Sequence, residues 1–561
     1  MAQRRHPSAH RRLARGARQA FALAGTASLT MLCIAAAPPA SARVPSLRDR
    51  SPATVTADPL PTVQINGVVW TQVMIGNVVY AGGEFTAARP AGATAGTQET
   101  RRSNLLAYDI TTGELITTFT PGTFNGAIRA LAVSTDKKTL YIGGKFTKVG
   151  TEKRGHFAAV KTTTGALNKS IKPSFNSWIY ALAADSKSVF AGGTFASVNG
   201  KARSRLAAVS IKSGKLSGWK AKANATVRAL VLTPKSKLLV AGGSFSKLNS
   251  TKASGSGAVG PSSGKTKTWK INQVVKNGKK NAGIWGLATD GDTVYGTGFT
   301  WGGGNFEGVF AASSKDGTLK WLQDCHGDTY AVAPIGDVVY SVGHPHYCTN
   351  IGGFPDTVPR SRWFHALAVT KKAAGTVAKN GQTTSRAYSN FEGKPAPGLL
   401  NWFPQLGTGT YTGQKQAAWS VVGNSKFISL GGEFPVVSGK PQEGLVRMAV
   451  PSIAPSEVGP TGGPTAIGLA ATPQADGSVA LSWNQLWDRD DLRLIYELSR
   501  DDTVIDRRAV SVPFWERSAM SFIDNEAAAG YLSKVVTYQV KVSDPHGNYI
   551  ASFKVKVQPT G

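Results

Sequence analysis

The chain has 561 residues, 41% of them hydrophobic, with 63 glycines and a formal net charge of +31 at pH 7. That length can bury more than one core, and the glycine content with little helical periodicity points to an all-β protein. Beyond the first 42 residues no apolar run reaches the roughly 18 to 20 residues that would span a bilayer, which argues against a transmembrane helix.

Residues 1–42 read as a signal peptide: Arg4, Arg5, Arg11, Arg12, Arg15 and Arg18 form a basic start, Ala20 to Ala37 an apolar stretch, and Ala40-Ser41-Ala42 a small-residue cleavage site. The product is expected to be secreted, extracellular, or held at the cell wall by non-covalent contacts. Arg11-Arg12 hints at twin-arginine export without completing that signal, and Cys33 is expected to leave with the leader. Residues 43–59 are expected to be a flexible N-terminal segment. Losing six arginines leaves a charge of about +25, while ten basic and twelve acidic residues follow Thr461, so the positive excess lies on the middle of the chain. Such charge favours encounters with polyanions such as acidic wall polymers, and it also keeps a large β protein soluble. No specific nucleic-acid motif accompanies it.

Between residues 60 and 450 one pattern recurs seven times: an apolar run, a tight turn, a second apolar run ending near Gly-Gly-x-Phe, then a third run. The clear copies are Gly82, Gly83 and Phe85; Gly143, Gly144 and Phe146; Gly192, Gly193 and Phe195; Gly242, Gly243 and Phe245; and Gly431, Gly432 and Phe434. Gly296 to Phe299 and Gly343 to His346 are degenerate copies. Four short antiparallel strands per unit is the spacing of a propeller blade, so a seven-bladed β-propeller is expected. Glycine would let backbones approach near a crowded axis, and the Phe would pack between blades. The seventh unit lacks a fourth strand, which residues about 60 to 66 could supply from the N-terminus; closure would remove exposed edges. With Arg-Ala-Leu and Leu-Ala-Ala-Val beside the glycine pairs, this region resembles the secreted, actinobacterial-type β-propeller family built from delta-60-like repeats. The resemblance implies a fold and leaves activity open.

The sixth unit departs from the pattern with Asp324-Cys325-His326-Gly327-Asp328 and His344-Pro345-His346-Tyr347-Cys348. A two-residue turn at Gly336-Asp337 sets Cys325 opposite Cys348, so a disulfide is expected in an oxidising compartment. His326, His344, His346 and Asp328 are the candidate ligands for a divalent metal. Strand alternation opposes that reading, since it puts His344 and His346 on one face and His326 on the other; a disulfide-tied loop with hydrogen-bonding histidines is the competing one. No cofactor is otherwise implied, and no nucleophile, base and oxyanion device are paired, so no catalytic residue is assigned.

The insert at about residues 350 to 415 carries Arg362, Trp363, His365, Tyr388 and Trp402, candidates for a rim surface that stacks sugars or grips a peptide; packing of the insert on its own scaffold would use the same residues. Residues 451–464 form a Pro/Gly linker. Residues 465–559 alternate apolar and polar positions as in a β-sandwich, and Trp483, Tyr496 and Tyr538 with the turn at Asp544 to Asn548 resemble a fibronectin type III domain. The function expected is binding of an extracellular glycan or surface protein through the propeller rim. The alternative is a secreted polysaccharide-acting hydrolase, since modules of this kind accompany such enzymes; the oligomeric state is not written in the sequence.

Overall fold

The computed structural model describes residues 52–382, 388–527 and 534–558. The leader and Cys33 lie outside the described residues. The chain is nearly all β and propeller-like. None of its described helices is long and apolar enough to cross a membrane.

Seven antiparallel sheets follow one another along the chain. The first holds Val68–Ile75, Val78–Glu84 and Leu105–Asp109. The second and third begin with Ile128–Val133 and Ile179–Ala184, the fourth with Val227–Thr233, the fifth with Ala282–Thr289, the sixth with Thr329–Ile335 and the seventh with Ala418–Gly423. Each of these first strands packs against the next, and the seventh packs against the first. In the first three sheets the fourth strand is reduced to single bridges, Tyr108 to Leu115, Val160 to Leu167 and Val209 to Leu216.

The glycine pairs are explained by what a methyl group would strike. At Gly82 a Cβ would lie 2.5 Å from Ile128 Cγ2 of the next sheet, and at Gly431 it would lie 2.7 Å from Val69 Cγ1, across the seam between the seventh sheet and the first. The second glycine of each pair faces a backbone carbonyl of its own hairpin, such as Val68 O at 1.9 Å from the Cβ position of Gly83. Both positions therefore exclude any side chain. The phenylalanines that follow are buried, as at Phe146, whose ring meets Phe124 edge-on at 4.9 Å.

The N-terminal segment lies along the seventh sheet. Thr56 N donates to Ala449 O and Leu60 N to Arg447 O, with Leu60 and Arg447 forming an antiparallel bridge. Gln64–Ile65 then leaves that edge and pairs with Ala87–Arg89 of the first unit. The ordered contact begins earlier than the sequence suggests, because Val55 N reaches the Tyr340 hydroxyl and Trp402 Nε1 reaches Thr56 O. Gln72 crosses the same seam, donating to Ser420 Oγ and accepting from Ser429 Oγ.

The last part of the chain has a three-stranded sheet containing Val479–Asn484 and a five-stranded sheet containing Arg493–Arg500 and Val536–Ser543. Both sheets share one core around Trp483, Tyr496 and Tyr538. It is packed against the repeat region rather than tethered: Phe354, Phe364 and Phe403 of the insert meet Phe514, Trp515 and Trp487 at ring distances of 5.4 to 6.5 Å. Segment 451–464 is anchored as well, with Glu457 N and Val458 N both donating to Asp58.

Candidate functional site at the central opening

In every one of the seven first strands the ladder slips by one residue near its start. The slips fall between Val69 and Thr71, Ile128 and Ala130, Ile179 and Ala181, Val227 and Ala229, Ile284 and Leu287, Thr329 and Ala331, and Ala418 and Ser420. A bulge leaves its extra residue unpaired and re-aims the side chain. The residues at these bulges are Trp70, Arg129, Tyr180, Arg228, Trp285, Tyr330 and Trp419, and all seven border one central opening of about 310 Å³.

Four of the rings form a continuous apolar wall. Trp419 lies 4.8 Å from Trp70, 4.3 Å from Tyr330 and 5.7 Å from Trp285, centroid to centroid. The two arginines face these rings, Arg129 at 3.5 Å over Trp70 and Arg228 at 4.7 Å over Trp285. Nε of each guanidinium is buried without an acceptor, as is Trp70 Nε1. Burial holds the Arg129 guanidinium down to about 10, with Tyr180 and Glu84 opposing the shift and Arg228 adding to it; Arg228 is lowered by burial as well. The opening therefore combines flat apolar surface with two cationic guanidinium groups. It suits a ligand with a ring face and an anionic group.

The wall is braced from behind. Trp419 Nε1 donates to Glu433, whose carboxylate also accepts from Thr412, and the Tyr330 hydroxyl meets His344 Nδ1 at 3.1 Å. His344 further contacts Gln416 and accepts from Asp328 N. Burial lowers the His344 imidazole, so it stays neutral beside the tyrosine.

The other site residues expected from the sequence are placed as follows. Cys325 and Cys348 form a disulfide with Cα atoms 4.4 Å apart. The histidines do not meet at one point: His326 stacks on Tyr388 at 3.7 Å and on Tyr347 at 4.8 Å and contacts Gln382, while His346 Nδ1 lies 3.2 Å from Asp356. Burial and Arg360 hold His346 down to about 3. Asp328 accepts from Thr300 N and Trp301 Nε1. Among the described residues these four do not form a cluster of coordinating groups. In the insert, Trp402 is fully buried, His365 is buried with Nδ1 at 3.1 Å from Gly343 O, and Arg362 lies over Phe514. Arg362, Trp363 and His365 border one cavity of about 250 Å³ with Trp487 and Arg489; Tyr388 and Trp402 lie elsewhere.

The seven bulge residues were missed as a site in the sequence. Their signal is the variable position after the leading apolar residue of each unit, as in Ile128-Arg129-Ala130-Leu131 and Ile179-Tyr180-Ala181-Leu182, where Trp, Arg or Tyr recurs in an otherwise apolar strand.

No family model matches the chain, and no curated protein matches it. A chain of the crystal structure of the mitotic checkpoint complex aligns over 74% of this chain and 96% of its own, at 11% identity and a TM-score of 0.42.

Proposed function

We propose that the protein is a secreted binder of acidic extracellular glycans, built as a seven-bladed β-propeller of the delta-60-like repeat kind with a fibronectin type III-like module, and that its ligand seat is the central opening. The observation that carries this reading is the ring of one bulge residue per sheet, five aromatic and two cationic. Tryptophan and tyrosine faces stack on sugar rings, and paired guanidiniums take carboxylate or sulfate groups. An opening of about 310 Å³ is at the lower end of small-ligand sites and suits a chain end or a single acidic sugar more than a folded partner. The positive charge of the repeat region would raise encounter rates with such polymers. In the rim insert, first candidate in the sequence, Phe354, Phe364 and Phe403 pack on the C-terminal module and Trp402 packs on Tyr340.

The hydrolase reading has one observation on its side. Asp324, fully buried, is pushed well above the ordinary carboxyl range by burial and by the charge of Glu307, the direction a general acid needs. Both border a cavity of only about 110 Å³, well under the ~300 Å³ of ordinary ligand sites, so a substrate ring has no room there.

Calorimetry with uronate-bearing oligosaccharides and their neutral counterparts tests the binding reading. Preference for the acidic set is expected, with a loss of roughly 10- to 100-fold when Arg129 and Arg228 are both changed to Gln. Equal binding of neutral and acidic sugars, or full binding by the double variant, would overturn it.

A further inference from the structure

Between strands Val479–Asn484 and Arg493–Arg500 the chain passes through Asp488-Arg489-Asp490-Asp491. One carboxylate oxygen from each of Asp488, Asp490 and Asp491 can be chosen so that all three lie within 4.8 Å of one another. Asp488 is only 2% exposed; its Oδ1 accepts from the backbone N–H groups of Asp490 and Asp491, while its Oδ2 meets no donor. Asp490 uses Oδ2 to accept from Ala57 N and leaves Oδ1 without a donor. Asp58, 1% exposed, accepts from Glu457 N and Val458 N with Oδ1, and its Oδ2 is likewise without a donor. The charge of Asp58 reaches Asp491, and that of Asp544 reaches both Asp488 and Asp491.

Buried carboxylates at this density are strongly unfavourable unless a cation or protons compensate them. The cations nearby do so only in part, the charge of Arg489 reaching Asp488 and Asp490. Arg489 spends its guanidinium on Phe403 O and Gln405 Oε1, and His546 Nε2 stands 3.7 Å from Asp491 on a residue facing solvent. The side chains of Asp488 and Asp490 meet each other directly, an arrangement that needs a proton or a cation between them. Asp490, Asp491 and His546 also border a cavity of about 270 Å³, which gives an ion a way in.

We infer that Asp488, Asp490 and Asp491, with Asp58 beside them, form a binding site for a divalent cation that prefers oxygen ligands, calcium before zinc. One carboxylate oxygen each from Asp488, Asp490 and Asp491, with water completing the shell, would suit calcium's appetite for six to eight oxygen ligands. Zinc would seek nitrogen or sulfur, and only His546 offers either here. The ion would sit where the N-terminal segment, the stretch after the seventh sheet and the C-terminal module meet, since Asp490 holds Ala57 and Asp58 holds Glu457 and Val458.

The test is titration of the chelator-stripped full chain with calcium, magnesium and zinc chlorides, each followed by calorimetry and by thermal unfolding. One calcium per chain and a rise in Tm with calcium are expected, with at least a tenfold loss of affinity in Asp488→Asn. Asp491→Asn, at a less buried position, gives the same readout if the first variant does not fold. The inference fails if the wild-type chain shows neither heat nor a Tm shift up to about 10 mM calcium, if both substitutions leave the calcium response intact, or if zinc binds in preference to calcium. It also fails if calcium is ignored and Asp490→Asn raises Tm, which would mark a proton-sharing acid pair.

Discussion

The guanidinium of Arg447 donates to the carbonyl oxygen of Thr112 across 2.7 Å, joining the last of the seven sheets to the turn that follows the first. The same side chain reaches the carbonyls of Pro61, Ile110 and Thr111, so one buried residue ties together the N-terminal segment, the first unit and the seventh. Arg447→Ala would leave the buried carbonyl of Ile110 and three partly buried ones without this donor and should cost about 1 to 3 kcal/mol in urea unfolding. Arg447→Lys should recover only part of that, because a point charge cannot serve a fan of acceptors.

Gly431→Ala should destabilise by about 1 to 3 kcal/mol, since its methyl would enter the contact with Val69 and Ser420 at the closing seam. Gly218→Ala, where no heavy atom lies within 4 Å of the added carbon, should change stability by no more than about 0.5 kcal/mol. Chemical denaturation of the two variants side by side checks the comparison; equal effects would remove the packing explanation of the glycine pairs.

Loss of the Cys325–Cys348 bond, whose partners are 23 residues apart, should cost about 2 to 4 kcal/mol through the added freedom of the unfolded chain. Paired Cys→Ser substitution, measured against the oxidised protein, is the direct reading.

Acid should remove the stability that the buried His365 contributes. His365 is held down to about 4 by burial, against 6.5 when unfolded. The unfolded chain therefore binds the proton first: stability from this group is complete above pH 6.5 and declines as pH falls toward 4, by about 3 kcal/mol in all. The gap in urea midpoint between the wild type and His365→Gln, rather than either raw slope, should shrink as pH falls from 6.5 toward 4.

Much of the sheet order was legible because it rests on short-range rules. The turn at Gly336-Asp337 fixes the pairing of Ile335 with Val338 and, four pairs on, of Ala331 with Val342; a bulge at Tyr330 shifts the register, and it returns at the bridge of His326 with Tyr347. The disulfide follows from that return. The ring of bulge residues was not legible, since each strand alone reads as an ordinary apolar run and only the cyclic packing of seven sheets brings Trp70 to Trp419. Trp402 was misleading for a related reason. An aromatic in a long insert looks available in sequence, yet its indole is taken up by Thr56, 346 residues away.

The bond between Arg447 and Pro61 spans 386 positions. A polypeptide that emerges from its N-terminal end must keep its earliest ordered residues unmated while six sheets assemble behind them, then fasten them to a strand delivered near the end. The clasp thus works as a completeness check: a product cut short before residue 445 has no edge to receive residues 56–60, and its first and last sheets stay open to proteases and to one another's neighbours.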